Sequence, residues 1–395
     1  MAEVSRQRFL DWFGELADIG RTDTGWNRVA WTPLEVEAQR WFEAKAESIG
    51  LEVRRDGAGS VWAVTPDADA GPWTCAGSHL DTQPDGGAFD GALGIVCALE
   101  AAAAIGESGI ERRRPLAVVA FVDEEGARFR TACFASLAIT GRLDIDDVLA
   151  AMDGAERIHG VSRESLLDSR SQLANVESYL EVHVEQGKAL VDRGLALGVA
   201  DVLTPRQRWR AVFTGESDHA GTRAMAGRRD ALVAAAPFIM AVSEEAGSRP
   251  GAVGTVGRIE IAPGSTNSIP GRVACLLDVR AREAATIDDL VTALAARFPE
   301  AELSRESRND GAAFDADLRS ALHAGAERRG VPAGDLPSYA GHDAGILAPH
   351  VPAAMLFVRN PTGASHTPAE SASDDDCVAA AQVLADALEA RLTAA

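Results

Sequence analysis

A chain of 395 residues, 46% apolar and 25% charged, is longer than one hydrophobic core usually grows and has the composition of a folded protein. Two domains are therefore expected and extended disorder is excluded. A formal net charge of −21 argues against nucleic acid and anionic membrane as partners, since both reward clustered Lys and Arg.

The N-terminal stretch MAEVSRQRFLDWFGELADIG carries acids and a helical apolar pattern, where a secretory signal would need a basic start and a continuous apolar run. No segment approaches the length of a membrane span, and a cytoplasmic enzyme is the expectation. The cysteines (Cys75, Cys97, Cys133, Cys275, Cys377) lack Cys-x-x-Cys spacing, so buried, reduced thiols are expected and neither a zinc ribbon nor a disulfide framework is. Residues 34–49 place Val36, Ala38, Trp41, Phe42 and Ala46 on one helical face, and the strand-like LEVRRDGAGSVWAV follows. A strand then runs into the loop WTCAGSHLDTQPDGG, an Ala-rich helix spans about 91–105, and PLAVVAFV reads as a buried strand.

The middle of the chain reads differently. Strand-like segments near 207–214, 252–261 and 272–280 alternate with helix-like segments near 227–245 and 286–297. From about 315 onward the first pattern returns, with the helix ADLRSALHAGAERRG, the strand AAMLFV and a last helix over about 374–393. The expected fold is α/β, a main catalytic domain with a central sheet flanked by helices (1–207 and 313–395), interrupted by a smaller α+β insert (208–312). In such sheets ligands gather at the carboxyl ends of the strands.

Four motifs carry chemistry. GSHLDTQPDGGAFDGALG offers His79, Asp81 and Asp90 in a Gly-rich loop, where an imidazole and carboxylates can be bent toward one divalent cation; a turn capped by Asp81 is the plainer alternative. FVDEEGARF puts Glu124 and Glu125 side by side at the end of a buried strand, so that one can bind metal while the other faces a reacting water; a solvated acidic turn would read the same. In YLEVHVEQGKAL, period two sends His183 to the same face as Glu181 and Glu185, and Gln186 can present an amide to a substrate. NPTGASHTPAE offers His366 beyond another apolar strand. A ligand-type residue near a strand end thus recurs four times, which independent coincidence explains poorly.

In order and content these motifs resemble the di-metal amidohydrolase and metallopeptidase family that includes aminoacylases, and within it the amidase/hydantoinase/carbamoylase branch. That branch holds N-carbamoyl-L-amino acid hydrolases, bacterial-type β-ureidopropionases and allantoate amidohydrolases, and the likeness covers roughly residues 10 to 390. The resemblance implies one ion held by His79, Asp90 and His183 and a second by Asp90, Glu125 and His366, with Glu124 as general base and Asp81 orienting His79. Peptidase members supply a carboxylate where His183 stands, so this histidine favours the carbamoylase branch. The ions implied are Zn2+, Mn2+, Co2+ or Ni2+, which all suit mixed imidazole and carboxylate ligands. Three neutral imidazoles and two carboxylates against two such ions leave about two positive charges, which suits a small anionic ureido or carbamoyl substrate.

For the insert, ESDHAGTRAMAGRRDAL offers His219 and PGSTNSIPGRVACLLDVR offers Asn267, Arg272 and Arg280. The resemblance implies that His219 and Asn267 bind the scissile carbonyl or ureido group, often from a partner subunit. It also implies that Arg280 grips the substrate carboxylate by a two-pronged hydrogen bond and that Gln186 touches substrate. In SYAGHDAGILA, Gly341 and His342 precede a helix whose amides can meet an anion, and bulky Tyr339 departs from the small residues of relatives. An N-carbamoyl-L-amino acid hydrolase, homodimeric through the insert, is the expectation; its rivals are an allantoate or other ureido-acid amidohydrolase, an N-acyl amino acid hydrolase or dipeptidase, and a non-catalytic ureide binder.

Overall fold

Residues 1–152 and 154–394 are described by the structure, a computed structural model. Two compact units emerge, Met1–Asp201 with Ala313–Ala395, and Val202–Ala312. The chain crosses between them at Asp201/Val202, ahead of the 207/208 boundary expected from sequence.

The strands are β1 (Glu52–Arg55), β2 (Val61–Val64), β3 (Trp73–His79), β4 (Leu116–Phe121), β5 (Val176–Val184), β6 (Leu197–Leu203), β7 (Arg206–Thr214), β8 (Ala252–Ala262), β9 (Arg272–Ala281), β10 (Glu302–Asn309), β11 (Ala312–Ala313), β12 (Ala333–Ser338) and β13 (Ala353–Val358). The large unit is built on a mixed nine-stranded sheet of order β1-β2-β4-β3-β5-β13-β6-β11, with β12 paired to β6. Its centre, β4-β3-β5-β13, is parallel throughout. Every residue of β3, β4 and β13 is buried, which is why LAVVAF and AAMLFV are unbroken apolar runs and not alternating ones.

Helices cover this sheet. Pro33 in the first turn and Thr32 before it start the helix Pro33–Ser48, whose Ala38, Phe42 and Ala46 face inward at the spacing the sequence showed. The helix Ala92–Ser108 is buried from Ala92 through Ile105, because it is sandwiched by the sheet and the helices Arg6–Asp18 and Asp374–Thr393. Its alanines let the backbones approach. At Gly94 a Cβ would lie 2.2 Å from the carbonyl oxygen of Val182, so only glycine fits.

The smaller unit is an antiparallel sheet of order β10-β7-β9-β8 with the helices Ala231–Gly247 and Ala284–Arg297 packed on it. Its core includes Phe213, Phe238 and Phe298, the first two 5.4 Å apart between ring centroids. Three of its strands stand where the sequence suggested. The fourth, β10, carries the sequence ELSRESRN, nearly all exposed on the sheet edge, and so shows no apolar alternation to read. Among the described residues no helix is long and apolar enough to cross a membrane, and all five cysteines are free and buried.

Candidate metal centre

The parallel strands at the heart of the sheet deliver the site residues at one end. His79 is the last residue of β3, and His183 is the last but one of β5. Glu124 and Glu125 lie just past β4, Asp90 just ahead of the helix Ala92–Ser108, and His366 in the loop beyond β13. Sequence-distant residues meet because their strands are hydrogen-bonded neighbours in register.

Asp90 stands at the middle. Its Oδ1 is 3.2 Å from His79 Nε2 and 3.1 Å from His183 Nε2, while its Oδ2 is 3.6 Å from His366 Nε2. Glu125 Oε2 is 3.3 Å from the same His366 nitrogen. Two groups of potential ligand atoms result, His79–Asp90–His183 and Asp90–Glu125–His366, each within 4.8 Å of one another. They share Asp90, one carboxylate oxygen turned to each.

The donor set tests whether cations fit. His79 Nδ1 donates to the carbonyl of Asp81 at 3.0 Å and His183 Nδ1 to that of Val184 at 2.9 Å, which fixes each tautomer and turns the Nε2 lone pair inward. Both Nε2 atoms are buried without a hydrogen-bond partner. Buried imidazole nitrogens left unpaired beside a carboxylate are costly unless a cation satisfies them, so the residues fit a metal pair. Without ions the cluster balances charge by protons. Burial works to lower the His183 pKa, but Asp90 and Glu181 carry it up to about 9. Burial likewise opposes ionisation of Asp90, and the two imidazoles overcome it, holding the carboxyl well below its usual range.

Glu124 is buried, its Oε2 3.9 Å from His79 Nε2 and its Oε1 3.5 Å from the Cys133 thiol. In the ion-free cluster burial, opposed by His79 but joined by Asp343, Glu125 and Asp90, pushes its carboxyl well above the usual value. Burial and the neighbouring Asp90 push Glu125 up to about 8. Asp123, at φ 56°, starts the turn that splays these glutamates, and its carboxylate accepts from Trp31 Nε1 at 2.6 Å and from the Gly126 amide at 3.1 Å.

The other candidate residues of the large unit lie around this cluster. The atom of Asp81 nearest His79 Nδ1 is its carbonyl oxygen; its carboxylate, 3.5 Å away, instead accepts the amides of Glu124 at 3.2 Å and Glu125 at 3.1 Å, clamping the turn. Gln186 donates to Asp90 Oδ2 at 2.9 Å. Glu185 caps the amides of Ala189 and Leu190. The helix after Gly341 and His342 is only Asp343–Leu347, and its Ala344 amide is taken by Glu181 Oε2 at 2.9 Å. His342 is buried with its ring 4.4 Å from that of His183, and burial together with His183 drives its pKa well down, keeping it neutral.

In the smaller unit, His219 and Asn267 are brought together: His219 bridges Ser268, and the Ala220 amide donates to the Asn267 carbonyl at 2.9 Å. Both side chains are exposed, and His219 Nδ1 accepts the amides of Gly221 and Thr222, which leaves Nε2 to carry the proton. Arg280 is engaged by Asp278 of its own strand, Nε to Oδ1 at 2.7 Å.

Glu370 is a site residue the sequence did not disclose. Its Oε1 accepts the amides of Phe89 and Asp90, each at 2.9 Å, tying the shared carboxylate's backbone to the loop of His366. It stands four residues past His366 in a motif already singled out, but nothing in a lone Glu after Pro-Ala marks it as buried.

Comparison with known proteins agrees with this geometry. Residues 75–390 match Peptidase family M20/M25/M40. The chain is 34% identical over 404 residues to the N-carbamoyl-L-amino acid amidohydrolase of Geobacillus stearothermophilus, covering 96% of this chain and 97% of that one. It is 31% identical over 425 residues to the allantoate deiminase of Arabidopsis thaliana, covering 96% and 81%. Among solved structures, a hydantoinase/carbamoylase family amidase from Burkholderia ambifaria superposes with a TM-score of 0.86 at 31% identity, covering 100% of this chain and 99% of that one. With the family match over residues 75–390, a shared fold and near full-length coverage, the chain belongs to peptidase family M20/M25/M40, in its hydantoinase/carbamoylase amidase branch.

Proposed function

We propose that the protein is a two-metal hydrolase of a linear ureide, converting an N-carbamoyl-L-amino acid and one water into the amino acid, carbon dioxide and ammonia. The observation that carries this reading is Asp90, with one carboxylate oxygen toward His79 and His183 and the other toward His366. Such an arrangement lets one side chain serve two ions. Divalent cations there, held by His79, Asp90 and His183 and by Asp90, Glu125 and His366, supply Lewis acidity that lowers the pKa of water toward about 7 and polarises a carbonyl.

This chain's own groups do the rest. Glu124, buried beside His79 and outside both ligand triads, takes the proton of the attacking water and returns it to the leaving nitrogen. The Asp81 carboxylate fixes the backbone from which both glutamates project. Gln186, beside Asp90, and neutral His342 offer hydrogen bonds to the ureide. Membership of the carbamoylase branch is what supports a substrate-binding role for His219, Asn267 and Arg280. Likeness to the allantoate deiminase supports a second reading, allantoate as substrate on the same residues.

An ammonia-release screen decides. N-carbamoyl-L-amino acids, 3-ureidopropionate, allantoate and N-acetyl amino acids are offered with Zn2+, Mn2+, Co2+ or Ni2+, and with a chelator. The proposal expects chelator-sensitive release greatest from an N-carbamoyl-L-amino acid; cleavage of N-acetyl amino acids alone contradicts it.

A further inference from the structure

A cavity of about 470 Å³ in the large unit has His366 and Gln186 among its walls, and Gln186 is the side chain that bonds Asp90. The cavity therefore opens on the candidate metal centre, and its size falls in the range of roughly 300–1,000 Å³ usual for small-molecule sites. The rest of the wall comes chiefly from Leu336, Pro337, Tyr339, Ala340, Phe357 and Ala189; Ser365 also lines it, as do Glu185 and Ser338, whose polar atoms are engaged by the Ala189 and Leu190 amides and by the Ala340 carbonyl. Leu336 and Phe357 are themselves buried, held by β12 and β13, so the wall is built and not a loose loop.

Resting on the proposed function, we infer that this cavity receives the substrate's side chain and selects a large apolar one, aliphatic or aromatic. A ureide that is polar throughout would turn amides and hydroxyls toward carbon walls and lose hydration without replacement. An apolar side chain sheds water from both surfaces instead. Lys188 also lines the cavity, but its stem lies along Gly363, where a Cβ would sit 2.4 Å from Lys188 Cγ, so its methylenes extend the apolar wall.

The test compares kcat/KM by ammonia release for N-carbamoyl derivatives of glycine, L-leucine, L-phenylalanine and L-glutamate, and for allantoate, with the metal-loaded full chain. Leucine and phenylalanine derivatives are expected to exceed glycine by roughly 100-fold, as several buried methylenes give. Ala340→Trp, which fills the cavity, is expected to lower the phenylalanine-to-glycine ratio at least tenfold; Ala189→Trp, at a second lining position, serves should the first variant misfold. A ratio near one in the parent enzyme, an unchanged ratio in both folded variants, or preference for the glutamate derivative through Lys188 would overturn the inference while leaving the hydrolase reading intact. Release from allantoate alone would overturn it too and select the second reading. No release from any compound would remove the proposed function itself.

Discussion

Glu124 and the histidines around it differ in what a substitution should reveal. Glu124 lies 3.9 Å from His79 Nε2 and belongs to neither ligand triad, so Glu124→Gln keeps the metal site while removing the proton carrier. Ammonia release should fall by about 10²–10⁴-fold, with metal content by elemental analysis unchanged. A variant that loses its metal instead would place Glu124 among the ligands. The protonation of the ion-free cluster gives a second outcome. His183 is carried up to about 9 and Glu125 up to about 8, so both hold protons at neutral pH that a cation must displace. Metal affinity should therefore rise as pH increases from 6 toward 9, and calorimetry in buffers of different ionisation enthalpy should show net proton release on binding. Affinity independent of pH would contradict the ligand assignment.

The helix Ala92–Ser108 and the strands beneath it translate packing into site geometry. Asp90 precedes the helix directly, and Gly94 lets the helix touch the carbonyl of Val182, one residue from His183. Gly94→Ala should cost about 1–3 kcal/mol in chemical denaturation through overpacking. It should also weaken metal binding, because relief of the clash shifts either the helix that follows Asp90 or the strand that carries His183. The long buried elements were legible because their residues repeat an apolar pattern: PLAVVAFV, AAMLFV and the closing helix stand within a few residues of their expected places. β10 was not, being a polar edge strand that joins β7 by backbone pairing and by polar side chains such as Glu306, which takes Arg210 Nε at 2.7 Å. The histidines and acids near strand ends were visible as types, but Glu370 and the Trp31–Asp123 bond were not, since burial of a single acid leaves no mark on its neighbours. Asp81 shows the finer limit: sequence places it beside His79, and only coordinates show its carboxylate turned to the glutamate amides.

For the molecule as a whole, the smaller unit presents a long open edge. β8 runs over Ala252–Ala262 at the margin of its sheet, with Val253, Ile259 and Ile261 each more than 40% exposed. An edge of this length and composition is a template for pairing with a second copy, and we propose a homodimer formed there. Light scattering should give twice the chain mass of 41.4 kDa, and Ile259→Glu with Ile261→Glu should give monomers; a monomeric parent protein would contradict the proposal.

The claim on which the chemistry rests is that one carboxylate joins two cations. Anomalous diffraction from crystals grown with Mn2+ or Zn2+ reads this out directly. Two peaks about 3.5–4 Å apart, one beside each oxygen of Asp90, are the predicted result. A single peak, or peaks away from His79, His183, Glu125 and His366, would contradict it.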